Sequence, residues 1–247
     1  MRETNECETI ILRALKEERS SLLIHEAQRI CELHQIPTPK SGLATNAQEA
    51  LHEAKGIGFP VVMKIVSPQI VHKSEVGGVI LDIRDEKQLR VEYEKLVARV
   101  HSREHSARVL GVLVERMMPP STELIVGGIR DKQFGPAVMF GTGGIFAEVY
   151  DDVAFRVAPI DAVDALNLVR GLRGSKILSG IRGKPPADLD SIVGVLINVS
   201  NLMTEHDTIE QLDLNPVIAY SDGLCAVDCR IIIRPQCRPD MCSCRAL

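Results

Sequence analysis

The spacing of apolar residues divides the chain into helical stretches and short strand-like runs. Residues 8–34 carry apolar positions three and four apart and are predicted to form one helix that ends before Pro37. The sequence Thr45-Asn-Ala-Gln48 is a capping box, so a short amphipathic helix is expected to begin there and to end at Gly56 and Gly58. The first part of the chain is therefore predicted to be helical.

Runs rich in β-branched residues alternate with further helical patterns over the remainder of the chain. Strands are predicted at Pro60–Val66, Val79–Ile83, Val109–Glu115, Glu123–Gly128, Pro136–Phe140, Phe146–Tyr150, Ala154–Ala158, Gln211–Ala219 and Gly223–Asp228, and helices after Asp85 and at Asp161–Leu172 and Leu189–Met203. Ser221-Asp-Gly223 is typical of a hairpin turn between the last two strands. This mixture predicts an α+β fold, or an α/β fold with an antiparallel component.

The order of the elements predicts two lobes followed by a tail. We expect residues 1–116 to hold the N-terminal helices and a first lobe, residues 117–233 a second lobe, and residues 234–247 a loose tail. Three of the seven cysteines lie in this tail, namely Cys237, Cys242 and Cys244. An odd number of cysteines in a chain of this size does not indicate a disulfide framework. We expect the tail to be exposed, with reduced cysteines. A metal site formed by these cysteines is the alternative.

Charge and hydropathy narrow the range of partners. The chain has 247 residues, of which 29 are basic and 33 acidic, giving a net charge of −4. This balance does not predict a surface for nucleic acid or for an anionic membrane, so an anionic ligand must be held by local cations and backbone N–H groups. No apolar run approaches the ~20 residues that span a bilayer, and the acidic N-terminus is unlike a signal peptide. We expect a cytoplasmic protein.

The segment Val61–Gly78 is the most informative for chemistry. Lys64 interrupts an apolar strand, and a buried lysine needs an anionic partner because an unpaired ammonium there is costly. A nucleotide phosphate is one such partner, and a lysine that reaches water from an edge strand is the alternative. His72 and Lys73 follow in a loop that ends in Gly77-Gly78, where backbone N–H groups can approach phosphate oxygens. This histidine can act as a base, a hydrogen-bond donor or a phosphoryl acceptor, unless the pair is only a surface feature.

The stretch Val112–Met118 is expected to pass from one lobe to the other. A backbone that crosses a cleft can hydrogen-bond the edge of an adenine, and Met117 and Met118 suit a flat ring. Glu123 follows and could bind ribose hydroxyls, although an ordinary strand and turn explains the same pattern. Gly141-Thr-Gly-Gly144 lacks the strand-then-helix context of a dinucleotide fingerprint, and the sequence has no Walker-type Gly-Lys-Ser/Thr.

Polar residues also interrupt the last two predicted strands. Asp213 and Asn215 share one strand face because side chains alternate with a period of two. If Asp228 lies on the neighbouring strand, the oxygens of all three converge, and Mg²⁺ prefers such hard oxygen ligands completed by phosphate and water. Polar residues near a turn on an exposed edge are the alternative.

Long strings of this sequence resemble the β subunit of ADP-forming acetyl-CoA (acyl-CoA) synthetases. The strings are Val62-Met-Lys-Ile-Val-Ser-Pro-x-Ile-x-His-Lys-Ser-x-Val-Gly-Gly78, Gly111-Val-Leu-Val114, Phe134-Gly-Pro-Ala-Val-Met-Phe-Gly-x-Gly-Gly-Ile145 and Leu212-Asp-Leu-Asn-Pro216. The resemblance extends from about Ile11 to Ile232. It implies an ATP-grasp fold, in which two α+β lobes hold the nucleotide between them.

The resemblance also implies a reaction and a partner. Acyl-CoA, ADP and phosphate are converted into the free acid, CoA and ATP. A partner α subunit binds CoA and carries a first phosphohistidine, in a hetero-oligomer such as α2β2. His72 would receive that phosphoryl group and pass it to ADP.

Further site residues follow from the same resemblance. The implied roles are a phosphate contact for Lys64, an adenine hinge at Glu115, Arg116, Met117 and Met118, Mg²⁺ ligands at Asn215 and Asp228, and a place beside the phosphoryl path for Asp213. The residues themselves add Lys73, Gly77, Gly78 and Glu123 to the expected nucleotide site. The family usually has Gln where this chain has Glu115, a departure that leaves a backbone contact with adenine intact.

A succinate–CoA ligase β subunit and a non-catalytic, ATP-binding regulatory module are the alternatives. The first has a Gly-rich basic loop in place of the Ser-Pro-x-Ile-x-His-Lys string, and the second has no need of His72. The chain carries no CoA-binding or acyl-binding signature. We therefore expect the isolated chain to bind nucleotide. It should complete the reaction only together with its partner.

Overall fold

Two β-sheets, each packed against its own helices, form the framework of the chain. The computed structural model describes residues 2–70, 72–143, 152–180 and 185–234, with side chains from residue 6 onward. The helices are α1 (Arg2–Lys16), α2 (Ile24–Leu33), α3 (Ala47–Ile57), α4 (Glu86–Arg103), α5 (Ala162–Gly171) and α6 (Leu189–Glu205), with a 3₁₀ helix at Arg173–Ser179. The strands are β1 (Ser41–Ala44), β2 (Val61–Val66), β3 (Val79–Ile83), β4 (Gly111–Arg116), β5 (Thr122–Asp131), β6 (Gly135–Thr142), β7 (Val153–Val157), β8 (Ile209–Tyr220), β9 (Gly223–Ala226) and β10 (Cys229–Ile233). Within the described ranges, no helix is long and apolar enough to cross a membrane.

The first sheet sets the position of Lys64. Its strand order is β1-β4-β2-β3, and all of the pairings are antiparallel. Val61, Met63 and Ile65 of β2 pack with α3 and α4 in one hydrophobic core. Because side chains alternate along a strand, Lys64 points to the opposite face, where it is also buried. Since β2 lies between two other strands, the alternative of an edge lysine that reaches water is wrong.

The second sheet carries the other candidate residues. Its strand order is β10-β8-β5-β6-β7, and β9 pairs with β8 through a hairpin. Leu212 and Leu214 of β8 face a second hydrophobic core together with Phe140 and Leu196. The residue between them, Asp213, therefore points away from this core.

The N-terminal region differs from the predicted single helix. Residues 17–23 leave the helical path between α1 and α2, and Glu18 has a left-handed backbone with φ of 57°. Ser21 forms an isolated bridge with Ile232, and the N–H of Leu22 donates to Ile231 O over 3.0 Å. The break therefore results from pairing with β10, a tertiary contact that the apolar spacing does not reveal.

The same helices pack with the second sheet. Cys7, Ile10, Ala27 and Ile30 belong to the second hydrophobic core, which is built around β5, β8 and α6. The prediction grouped these helices with the first lobe in residues 1–116, whereas these apolar side chains pack in the core of the second sheet. The predicted limit between residues 116 and 117 coincides with the end of β4.

Most of the predicted strands and the later helices are found within a few residues of their expected limits. The predicted strand Gly223–Asp228 is wrong in its extent, because β9 ends at Ala226 and β10 begins at Cys229. The hairpin turn at Ser221-Asp222 is confirmed by the pairing of Tyr220 with Gly223. The predicted strand Phe146–Tyr150 and the cysteines of the tail lie outside the described residues.

The cap of α3 lies one residue later than the predicted capping box. Asn46 is the N-cap, and its side chain accepts hydrogen bonds from the N–H groups of Gln48 and Glu49, both over 3.0 Å. Glu49, and not Gln48, accepts from the N–H of Thr45 over 2.7 Å, one residue before this N-cap. A side chain at the N-cap stabilises the helix because the first N–H groups have no partner inside it.

Replacement of Asn46 with alanine is expected to lower the free energy of unfolding by about 1 kcal/mol, the usual cost of losing an N-cap. Urea unfolding of the wild-type and variant chains measures the difference. Thr45→Ala is the matched control, since Thr45 is the N-cap of the predicted box. A larger loss for Thr45→Ala than for Asn46→Ala would contradict the observed cap.

Candidate functional site

Lys64 lies in a buried polar network between the two sheets. Its Nζ is 2.6 Å from Glu115 Oε2 and donates to Val227 O over 2.6 Å. Gln28 of α2 donates to Glu115 Oε1 over 2.6 Å and accepts from Ser41 over 2.9 Å. The anionic partner expected for Lys64 is thus present, and it is a carboxylate of the chain itself. The network joins β2 and β4 of the first sheet to α2 and to the segment before β10.

The charges of this network depend on one another. Desolvation by burial is the largest influence on the pKa of Lys64 and lowers it, but the carboxylates of Glu115 and Asp228 outweigh burial and raise this pKa above its ordinary value. Burial holds the pKa of Glu115 above its ordinary value, against the opposing effects of Lys64 and Gln28. The short contact with Glu115 and the nearby Asp228 keep the Lys64 ammonium charged.

The loop after β2 presents His72 to solvent. The side chain of His72 is exposed, and its carbonyl accepts from the N–H of Glu75 over 3.3 Å. Arg99 and Arg103 of α4 fasten the loop by donating to Gly77 O and Glu75 O, both over 3.2 Å. An exposed imidazole on a loop held from behind is open to a partner that approaches from outside.

Gly77 and Gly78 allow the backbone of this loop to turn back on itself. The N–H of Gly77 donates to Ser74 O over 3.0 Å, and the N–H of Gly78 donates to Lys73 O over 2.7 Å. Gly77 has φ of 66°, and a Cβ at Gly78 would lie 2.6 Å from the side chain of Ile65. The expectation that these N–H groups face phosphate is therefore corrected, because they close the loop in this structure.

Asp228 lies between β9 and β10, not in the predicted hairpin strand, and its backbone meets that of Asn215 in β8. The N–H of Asn215 donates to Asp228 O over 3.3 Å, and Arg230 is the register partner of Asp213. Lys73 Nζ lies 3.5 Å from Asp228 Oδ1 and so connects the His72 loop to the second sheet. Asn215 of β8 and Asp228, just before β10, offer amide and carboxylate oxygens of the kind that Mg²⁺ prefers.

Asp213 is electrostatically linked to His72. Burial raises the pKa of the Asp213 carboxyl above its ordinary value, and the charge of Asp228 raises it further. Arg230 and His72 act on the same carboxyl in the opposite direction. Asp213 and His72 are therefore near enough for their charges to interact.

The sequence interpretation missed Arg230. Its Nε is buried and has no hydrogen-bond partner among the described residues. A buried guanidinium nitrogen without a partner is costly, and an anion bound beside Arg230 would satisfy it. In an extended chain, side chains two residues apart lie on the same face, so Arg230 is expected on the face of Asp228. The spacing of these two residues could therefore have indicated Arg230.

The predicted adenine hinge lies at the end of β4, where part of its backbone is already paired. The N–H of Arg116 donates to Lys40 O over 2.9 Å, and the N–H of Met117 donates to Pro60 O over 3.2 Å. The side chain of Glu115 points into the Lys64 network and away from the hinge. An adenine that used the N–H groups of Arg116 or Met117 would have to replace these bonds.

A hollow of about 440 Å³ adjoins the hinge. Its size falls within the ~300–1,000 Å³ typical of small-molecule sites. The lining residues are Ile57, Gly58, Phe59, Pro60, Asp82, Arg116, Met117, Met118, Pro119 and Pro120. Met117 and Met118 therefore face a space large enough for a planar ring, whereas Lys64 and Asp228 do not line it.

Glu123 lies near the start of β5 with an exposed side chain, and its carbonyl accepts from the N–H of Gly143 over 2.8 Å. A Cβ at Gly143 would lie 2.8 Å from the backbone of Glu123, so this glycine permits the close approach of the two segments. Gly141 and Thr142 of the predicted Gly-rich turn belong to the end of β6 instead, and Gly144 lies outside the described residues.

Comparison with known proteins identifies relatives of nearly the whole chain. A family model described as an ATP-grasp domain matches residues 13–233. The β subunit of ADP-forming acetate–CoA ligase I from Pyrococcus furiosus is 43% identical over 223 residues, which cover 90% of this chain and 96% of the relative.

Solved structures agree with this match. Acetyl-coenzyme A synthetase 1 of Ca. Korarchaeum cryptofilum, in complex with coenzyme A and Ca-AMPCP, has a TM-score of 0.90 at 44% identity, over 92% of this chain and 99% of that chain. A second structure of the synthetase, with coenzyme A and Mg-AMPPCP and with its phosphohistidine segment pointing towards the nucleotide binding site, has a TM-score of 0.82 at 42% identity, over 92% of this chain and 100% of that chain.

Proposed function

Because this chain belongs to the ATP-grasp family, among the β subunits of ADP-forming acetate–CoA ligases, we propose that it is the nucleotide-binding subunit of an ADP-forming acyl-CoA synthetase. The complete reaction interconverts acyl-CoA, ADP and phosphate with a carboxylic acid, CoA and ATP. The observation that carries the proposal is the exposed His72, on a loop whose next residue, Lys73, lies 3.5 Å from Asp228. We infer that the reaction takes place in the cytoplasm with a CoA-binding α subunit as partner.

His72 accepts and returns a phosphoryl group in this proposal. A neutral ring nitrogen of His72 attacks the phosphorus of a phosphohistidine of the α subunit, so one P–N bond forms as the other breaks. An oxygen of the terminal phosphate of ADP then attacks the same phosphorus, which forms a P–O bond and frees His72. The group thus crosses from partner to nucleotide without release as free phosphate.

The surrounding residues stabilise charge on the transferred group. Lys64 and Lys73 on the first lobe and Arg230 on the second are cations near the His72 loop, and charge neutralisation is the main requirement of phosphoryl transfer. Asn215 and Asp228 would hold Mg²⁺, which when bound neutralises phosphate charge and orients the phosphate oxygens. Met117 and Met118, with Glu123 beyond them, would receive the adenosine.

Reconstitution tests the proposed function. The chain alone is expected to bind ATP and ADP in calorimetry, and to form ATP from acetyl-CoA, ADP and phosphate only after a cognate α subunit is added. An acid panel that includes acetate and succinate identifies the substrate class. Turnover with succinate alone would support the succinate–CoA ligase alternative. Nucleotide binding without turnover in the presence of the α subunit would support the regulatory alternative.

Replacement of Asp228 with asparagine is expected to weaken ATP binding in the presence of Mg²⁺ by roughly 10–100-fold, since a proposed metal ligand loses its charge. The same variant should change ATP binding much less when Mg²⁺ is removed by a chelator. Calorimetric titrations with and without Mg²⁺ measure both effects. Asp222→Asn, in the exposed hairpin turn nearby, is the matched control and should leave both affinities unchanged. Equal losses for the two variants would contradict a role of Asp228 in metal binding.

A further inference from the structure

Outside the nucleotide site, one cysteine and two histidines from three helices converge beside the second core. Cys7 lies in α1, while His34 and His206 are the C-cap residues of α2 and α6. The Cys7 Sγ and one nitrogen of each ring all lie within 4.8 Å of one another. Cys7 and His206 are buried, and only 12% of the His34 side chain is exposed.

The distances between these atoms fit a tetrahedral metal ion. The Nε2 atoms of His34 and His206 are 3.3 Å apart. Two imidazole nitrogens at ~2.0–2.1 Å from a tetrahedral Zn²⁺ are separated by about 3.3 Å. The Nδ1 of His34 lies 2.9 Å from Ile30 O, so it carries the proton and leaves the Nε2 lone pair free for a ligand. A hydrogen bond between the rings is the other explanation of the distance, and the experiment below separates the two.

The surroundings of the three residues favour a cation. Two helices end at this point, and the C-terminus of a helix carries partial negative charge. Glu205 Oε2 lies 3.5 Å from His34 Nε2, and Glu8 and Glu205 line a hollow of about 290 Å³ beside His206. Arg130 reaches the same helix end, but its guanidinium pairs with Asp207 and donates hydrogen bonds to backbone carbonyls.

Burial favours the uncharged forms of Cys7 and His206 in the absence of a metal. Burial raises the pKa of the Cys7 thiol to about 12, and the charges of Glu8 and Glu205 act in the same direction. The thiol therefore keeps its proton in the absence of a cation and releases it to water when a metal–sulfur bond forms. Burial, with a smaller effect of His34, lowers the pKa of His206, which favours the neutral ring that ligates metals.

We propose that Cys7, His34 and His206 bind a zinc-type divalent transition metal, with Glu205 or water as the fourth ligand. One thiolate and two imidazoles prefer Zn²⁺ or Co²⁺ to Mg²⁺, so this site is chemically distinct from the oxygen-rich nucleotide site. The metal would fasten α1 to the ends of α2 and α6. It would thereby attach the N-terminal helices to the second lobe.

Cobalt titration of the full-length chain tests the proposal. The tail cysteines are first replaced in the variant Cys237→Ser, Cys242→Ser, Cys244→Ser, so that they cannot contribute. After removal of metal with a chelator, one equivalent of Co²⁺ is expected to produce a thiolate-to-cobalt charge-transfer band and the visible bands of a tetrahedral site. Zn²⁺ should then displace Co²⁺ and raise the unfolding temperature. Absence of the charge-transfer band in this variant would overturn the proposal.

Ligand variants in the same background assign the site. Cys7→Ala is expected to abolish the charge-transfer band and to weaken Zn²⁺ binding by roughly 100-fold or more, because a first ligand is lost. His34→Gln alters a ligand near the surface and keeps the test open if Cys7→Ala fails to fold. Cys225→Ala, which removes a buried cysteine outside the cluster, should bind Co²⁺ as before. Unchanged Co²⁺ binding in both Cys7→Ala and His34→Gln would overturn the assignment.

Discussion

Replacement of His72 with alanine is expected to lower the rate of ATP formation from acetyl-CoA, ADP and phosphate by at least about 10⁴-fold, because removal of a covalent acceptor leaves no route for the phosphoryl group. The affinity for ATP should change little, since the exposed ring of His72 is not among the groups proposed to hold nucleotide. Steady-state assays with the cognate α subunit measure the rate, and calorimetry measures the affinity.

Phosphoryl labelling distinguishes a relay residue from one that only supports the loop. Wild-type chain incubated with γ-labelled ATP and Mg²⁺ should acquire a label that is stable in base and labile in acid, as phosphohistidine is. His72→Ala should acquire none. His52→Ala, which removes another exposed histidine, is the matched control and should be labelled normally. A wild-type chain that remains unlabelled with and without the α subunit would contradict the relay.

The sequence predicts the burial of Lys64 but not the residue with which it pairs. A lysine inside an apolar run predicts burial and an anionic partner from the cost of an unpaired charge alone. The identity of the partner depends on strand order, which brings Glu115 beside β2 and Gln28 of α2 against both. Such contacts between distant parts of the chain leave no local signal. The sequence therefore predicts the need for a partner but not its source.

The N-terminal helices illustrate a second kind of failure. Their apolar spacing is helical, and no glycine or proline marks the break at residues 17–23. The break instead follows from the bridge between Ser21 and Ile232, near the other end of the chain. By contrast, alternation along β8 places Asp213 and Asn215 on one strand face, whereas the position of Asp228 depended on a predicted strand that ends at Ala226.

Breaking the pair of Lys64 and Glu115 is expected to have the largest effect on stability. Glu115→Ala leaves the Lys64 ammonium buried with no carboxylate in contact, which should lower the free energy of unfolding by about 3–5 kcal/mol. The double variant Lys64→Met with Glu115→Leu removes both charges, and its stability should recover to within about 1 kcal/mol of wild type. Urea unfolding of the single and double variants gives both values. The double variant should still bind ATP poorly, because the phosphate contact proposed for Lys64 is lost.

A surface ion pair supplies the matched control for the variants of Lys64 and Glu115. Lys55 Nζ lies 2.8 Å from Glu86 Oε1, with 54% and 52% of the two side chains exposed. Glu86→Ala should therefore cost less than about 1 kcal/mol, since water screens an exposed pair. A similar small cost for Glu115→Ala would mean that the buried network does not depend on its charges. Recovery of stability without recovery of ATP binding in the double variant would instead separate the two roles of Lys64, as a member of the buried network and as a phosphate contact.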